Sequence, residues 1–65
     1  MLYHVDFVTI VNNREHNIST IEDAESAELA IEICREKLKT NPYVVIQEII
    51  SEHAFPYESR YVIHN

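Results

Sequence analysis

The chain has 65 residues, of which 46% are hydrophobic and 25% charged, with two prolines and no glycine. This composition excludes a disordered or low-complexity chain and fits a single domain over residues 1–65, so small that a lone copy is only marginally stable. Eleven acidic residues against five Lys and Arg give a formal net charge of −6, which opposes direct binding to nucleic acid or to anionic membranes and favours a basic partner.

The first residues, MLYHVDFVTIV, lack the basic region and the small-residue cleavage site of a signal peptide. No apolar run in the chain approaches the ~20 residues that a membrane-spanning helix needs. The single cysteine, Cys34, excludes an intramolecular disulfide. We therefore expect a soluble protein of the cytoplasm that does not bind membranes.

Residues 2–11 predict a first strand, because their side chains alternate between a strongly apolar set and a mixed set. The strongly apolar set is Tyr3, Val5, Phe7, Thr9 and Val11. A polar segment, NNREHN, follows this strand. Its Asn12-Asn13 pair can adopt left-handed backbone conformations, so we expect a hairpin that leads into a second strand at about residues 17–23.

An amphipathic helix is predicted at about residues 26–40. Ser26 can cap it, because a serine hydroxyl can accept a hydrogen bond from an unpaired amide of the first turn. The Thr40-Asn41-Pro42 sequence ends it, because a residue before proline avoids the helical region. Its apolar stripe has helical spacing and consists of Ala27, Ala30, Ile31, Cys34 and Leu38, widened by Leu29 and Ile33.

The segment YVVIQEIIS, residues 43–51, predicts a third strand that is apolar on both faces and therefore central in the sheet. A loop over residues 52–59 and a short last strand over residues 60–64 complete the chain. The predicted fold is α+β, with the order β-β-α-β-β and one helix packed on a small, mostly antiparallel sheet.

One helix covers only one face of such a sheet. The other face would carry Leu2, Val8 and Ile10 of the first strand, together with apolar residues of the third. Exposed apolar patches of more than a few hundred Å² usually mark interfaces, so we expect a homodimer packed through this face or joined along an edge strand. The alternative is a partly polar face that tolerates water.

Negative charge is concentrated between residues 15 and 34, where six acidic residues occur without a Lys or Arg. The helix dipole accounts for acids in the first turn of the helix, such as Glu28. It does not account for like-charge pairs one turn apart, such as Glu28 and Glu32, which weaken a helix. Either the stretch is only a solvated surface, or its carboxylates imitate phosphates and bind a basic protein. The predicted partner-binding residues are Glu22, Asp23, Glu25, Glu28 and Glu32.

The sequence predicts no enzyme chemistry. Four histidines and one cysteine form no spaced metal-binding motif, and Cys34 lies in the middle of the apolar helix stripe, where a core residue is expected. The absence of glycine excludes phosphate-binding loops of the P-loop or dinucleotide type. We therefore predict no catalytic residue, no metal site and no cofactor.

The stretch IEDAESAELAIEICREKL resembles a pattern seen in small β-β-α-β proteins, including the archaeal ribosomal large-subunit LX type and small phage or mobile-element proteins. The matching positions are Ala24, Ser26, Ala30 and Ile31. The resemblance implies the fold only, because the ribosomal type has a basic RNA-binding surface and this chain is acidic. In its small size, acidity and lack of glycine, the chain is similar to phage-encoded proteins that bind and inhibit a host factor.

Two functions follow as hypotheses. The first is a non-enzymatic inhibitor of the DNA-mimic type, which occupies the basic nucleic-acid-binding surface of a host protein such as a nucleoid-associated or transcription protein. The second is a small adaptor or oligomerisation module that binds a protein through the exposed apolar sheet face or an edge strand. The first predicts that binding weakens steeply with salt, and the second predicts a salt-insensitive complex.

Overall fold

The computed structural model describes residues 1–57 and shows an α+β fold with one antiparallel sheet. Within this range the sheet has three strands in the spatial order β2-β1-β3, and a single helix covers one face. That helix is too short and too polar to cross a membrane. The elements in chain order are β1 (Leu2–Val11), β2 (Arg14–Asp23), α1 (Ala27–Thr40) and β3 (Glu48–Pro56).

The predicted hairpin between β1 and β2 is confirmed. Asn12 and Asn13 form its two-residue turn with φ values of 54° and 63°, the left-handed conformation that this type of hairpin turn requires at both positions. The pairing runs without interruption from Leu2 opposite Asp23 to Val11 opposite Arg14. The second strand therefore begins three residues earlier than the sequence predicts.

The alternation predicted for β1 is also confirmed. Tyr3, Val5, Phe7 and Thr9 are all buried beneath α1, and the buried Thr9 hydroxyl donates to the carbonyl of His16. The helix contributes small residues to this core, since Ala30 and Cys34 are fully buried. Cys34 is thus the core residue that the helix stripe predicts.

The bounds of α1 have the predicted causes. The Ser26 hydroxyl accepts a hydrogen bond from the Leu29 amide at 3.1 Å, which satisfies one of the unpaired donors of the first turn. At the other end, Asn41 has an extended backbone and precedes Pro42. Leu29 does not widen the apolar stripe as predicted, because its side chain is 40% exposed.

The prediction for the third strand is wrong in its bounds and its position. Residues 43–47 have no regular structure, and β3 covers much of the segment predicted as a loop. β3 pairs only with β1 among the described residues, which makes β1 the central strand. A register shift opposite Val8 and Thr9 interrupts this pairing. The strand predicted for residues 60–64 lies outside the described residues.

Gln47 explains why the third strand begins so late. The backbone amide of Gln47 donates to the Ile10 carbonyl at 2.8 Å. Its side chain exchanges two hydrogen bonds with Asn13, one from the Asn13 backbone amide at 2.7 Å and one to the Asn13 side chain at 3.1 Å. The chain after α1 is therefore attached to the tip of the hairpin, and regular pairing with β1 begins at the next residue.

Candidate interaction surface

Three of the five predicted partner-binding residues lie exposed along one region of the molecule. Glu25 immediately precedes the cap of α1, and Glu28 and Glu32 lie within the helix. An α-helix rises 1.5 Å per residue, so Glu28 and Glu32 are about 6 Å apart along the axis and share one face. We call these three residues the acidic helix face. None of them makes an ion pair with another described residue.

Glu22 does not belong to the acidic helix face. It lies opposite Tyr3 in the hairpin, which directs its side chain to the covered side of the sheet, and only 5% of it is exposed. The Lys37 ammonium donates to its carboxylate at 2.7 Å. A buried carboxylate needs such a partner, so this pair is part of the fold, and the prediction of Glu22 as a freely accessible binding residue needs correction.

Asp23 lies on the other side of the sheet from Glu22, because successive strand residues point to opposite faces. Its carboxylate accepts a hydrogen bond from the amino group of Met1 at 3.0 Å and remains exposed. The helix dipole does not explain why acidic residues occur at positions 22 and 23. In the structure, each of them has a cationic partner within the chain.

Glu52 of β3 is a carboxylate that the sequence analysis missed, because the third strand was placed too early. It forms a bidentate pair with Arg35 of α1, with the guanidinium Nε and Nη2 atoms donating at 2.8 and 2.7 Å. This side-chain hydrogen bonding, with the attraction between the charges, holds the pKa of Glu52 below its ordinary value of 4.5 and raises the pKa of Arg35. The pair joins α1 to β3.

A groove between α1 and β3 adjoins the acidic helix face. It is lined by Glu28, Ile31, Glu32 and the Arg35–Glu52 pair. Its three carboxylates outnumber its one guanidinium, and Ile31 supplies an apolar patch. A lysine or arginine side chain of a partner fits this chemistry, because its aliphatic stem can lie on Ile31 while its charged end meets the carboxylates.

The face of the sheet away from α1, which no other element of residues 1–57 covers, is the second candidate surface, and we call it the uncovered sheet face. Leu2 and Ile21 are 45% and 49% exposed, and Phe55 is 52% exposed. Phe55 lies opposite His4 on the neighbouring strand and stacks against the ring of His53, with the ring centres 6.2 Å apart. The face is thus apolar toward the end of the sheet where β1 begins.

Polar groups occupy the middle of the same face. Asp6 accepts a hydrogen bond from the Ser19 hydroxyl at 2.5 Å and lies 3.3 Å from Nε2 of His4. These contacts satisfy Asp6 within the sheet. No group of three or more metal-ligating side chains that could hold an ion occurs within residues 1–57.

The chain matches no protein-family model, no curated protein and no solved structure. The two candidate surfaces are therefore distinguished by their own geometry and charge.

Proposed function

We propose that this protein is a non-enzymatic inhibitor of the DNA-mimic type, whose acidic helix face occupies the basic nucleic-acid-binding surface of a partner protein. The observation that supports this proposal is which carboxylates the cations of α1 bind. Arg35 and Lys37 follow the acidic stretch in sequence, but Glu52 and Glu22 on the strands bind them. The two cations that follow the acidic stretch are therefore paired with carboxylates of the strands and do not bind the carboxylates of the helix.

The cost of leaving these carboxylates together supports the same proposal. Glu28 and Glu32 are a like-charge pair one turn apart, which weakens a helix by about 0.2–0.5 kcal/mol. Glu36, also exposed, continues the row by another turn. A partner that supplies Lys or Arg side chains relieves this repulsion on binding, and the net charge of −6 accelerates its approach.

The proposed partner is a nucleoid-associated or transcription protein, because such proteins expose Lys and Arg side chains that otherwise contact phosphates. The resemblance to phage-encoded inhibitors supports this proposal, and an inhibitor of that kind would act in the cytoplasm of a host cell. Direct binding to nucleic acid is opposed by the charge of the chain.

The test is affinity capture from a cell lysate with the full chain as bait. We expect the wild type to capture a DNA-binding protein at low salt and to release it when ionic strength rises from ~0.1 M to ~1 M, because the screening length then falls from ~10 to ~3 Å. The variant Glu28→Lys/Glu32→Lys should lose this capture. The matched control is Glu15→Lys/Glu48→Lys, which changes the net charge equally at exposed positions at the hairpin end of the sheet and should retain most of it.

Capture that both charge variants weaken equally would show that only net charge matters and would contradict a specific acidic helix face. The circular dichroism spectrum of each variant confirms that it is folded. Capture that persists at high salt would also contradict the proposal.

The exposed side chains of the uncovered sheet face favour a second candidate, an adaptor that binds a protein through apolar contacts. This function predicts capture that is insensitive to salt and is lost in Phe55→Ser, while Tyr43→Ser, a change at an exposed aromatic outside the sheet, has no effect. The two functions therefore differ in both the salt response and the variant that removes binding.

A further inference from the structure

The outer edge of β2 is a long, regular and unprotected strand edge. β2 pairs with β1 along its whole length, and within residues 1–57 no strand pairs with its other side. It contains no proline, no lysine and no bulge. An edge of this kind presents unpaired backbone donors and acceptors to any strand that can align with it.

Among the described residues, β3 forms the opposite edge of the sheet, and that edge has the usual protections. A register shift interrupts β3, and Pro56 ends it. The amide of Tyr57 donates inward to the carbonyl of Leu2 at 2.9 Å, so Pro56, one residue earlier, occupies an outward-facing position where its missing N–H weakens pairing. The contrast singles out β2 as the edge that is open to a partner.

The hydrogen-bond pattern identifies the residues of β2 whose backbone N–H and C=O groups point away from β1. The Ala24 amide donates to the Met1 carbonyl at 3.0 Å, and hydrogen-bonded residues alternate along an antiparallel pair. The even-numbered residues of β2 therefore face β1. The residues whose backbone groups face outward are Glu15, Asn17, Ser19, Ile21 and Asp23.

We propose that β2 binds the β2 strand of a second copy of this chain, antiparallel across a two-fold axis. Two registers align nine residues of each copy. The first spans residues 14–22 and pairs four outward-facing residues of each copy, and the second spans residues 15–23 and pairs all five. Charge favours the first. The first register places Arg14 of each copy opposite Glu22 of the other, so the two-fold axis creates two pairs of opposite charge. The second register places Glu15 opposite Asp23 and brings like charges together.

The first register also fits the surroundings of these residues. Arg14 is exposed and makes no ion pair with another described residue. Glu22 binds Lys37 through Oε1, and no described residue donates to its other oxygen. Because only 5% of Glu22 is exposed, the second copy's arginine meets it at the margin of the core. Ile18, which packs at the margin of the core, lies opposite its own copy on the axis and extends the core across the interface.

Such a dimer joins the two sheets into one, with both helices on the same side. It removes the open edge of β2 and enlarges the core of a chain of only 7.6 kDa. It does not depend on the acidic helix face, which adjoins β3 at the far side of each copy.

The first measurement is the mass of the full chain in solution by light scattering or sedimentation equilibrium. We expect twice the chain mass. The variant Asn17→Pro should be monomeric, because it removes an outward-facing N–H and leaves every bond between β1 and β2 intact. Asn17→Ala is the control and should remain dimeric. A monomeric wild type, or a dimer that persists in Asn17→Pro, would overturn the proposal; the latter result would indicate the uncovered sheet face as the interface.

The second measurement tests the register by oxidative cross-linking and holds even if Asn17→Pro fails to fold. Ile18→Cys should form a disulfide between copies, because residues opposite each other at a non-hydrogen-bonded pair have Cα atoms ~4.5 Å apart. Ser19→Cys should cross-link at least tenfold more slowly, although its side chain is more exposed. Faster cross-linking of Ser19→Cys would overturn the proposed register. The native Cys34 is fully buried and does not interfere.

Discussion

The carboxylates of the strands and those of the helix have different surroundings in this molecule. Glu22 and Glu52 extend from the sheet and each binds a cation of α1. Glu28 and Glu32 extend from the helix and bind no cation of the described chain closely, although Glu32 contributes to the raised pKa of Arg35. The comparison shows that acidic residues close in sequence can either form ion pairs within the fold or lie on an exposed surface without a close cation of the described chain.

The largest effect is expected when the ion pair of a strand carboxylate, Glu22, is broken. Lys37→Met removes the ammonium group that donates to the almost fully buried Glu22 carboxylate, and should lower the free energy of unfolding by about 1–2 kcal/mol, as expected for a buried acceptor left without its donor. Chemical denaturation measures this change. Lys39→Met is the matched control, because Lys39 makes no ion pair within residues 1–57, and an equal loss in both variants would contradict a structural role for the Glu22 pair.

A smaller effect is expected from the pH dependence of Glu52. Because its pKa is lower in the folded protein than its ordinary value of 4.5, the carboxylate stabilises the fold at neutral pH, and this contribution is lost as the pH falls through the folded value. The stability difference between the wild type and Glu52→Gln should therefore shrink as the pH falls below 4.5. Glu48→Gln, a change at an exposed position of the same strand, should follow the wild type throughout. A difference that stays constant with pH would show that charge is not its source.

The smallest effect is expected when one of the helix carboxylates is neutralised. Glu32→Gln removes repulsion with Glu28 and Glu36, at about 0.2–0.5 kcal/mol per pair, and loses a weaker attraction to Arg35. We expect a net gain in the free energy of unfolding of about 0.2–0.5 kcal/mol. A loss of stability in thermal or chemical denaturation would show that the acidic helix face serves the fold.

Local patterns predicted much of this fold. The alternation of β1, the left-handed turn at Asn12-Asn13 and the Ser26 cap all depend on residues close in sequence, and all are present in the structure. The third strand was misplaced because an apolar run such as residues 43–51 does not reveal whether it lies in the sheet. Its start depends on the contact between Gln47 and the hairpin turn, which is distant in sequence.

The candidate site was predictable only in part, for the same reason. Helical spacing correctly grouped Glu28 with Glu32. The pairing of Glu22 with Lys37 joins residues 15 positions apart, yet the sequence held a signal for it. Once the hairpin register is fixed by its turn, Glu22 must lie opposite Tyr3, on the covered side of the sheet. Glu52 could not be assigned without the correct bounds of β3.

The most direct test of the proposed function is competition with DNA. The partner captured by the wild-type protein is incubated with double-stranded DNA, and the amount that stays bound to the protein is measured as the DNA concentration rises. Mimicry of phosphates predicts that DNA and the protein displace each other and that no complex contains all three. A stable complex of the partner with both DNA and this protein would contradict the proposal.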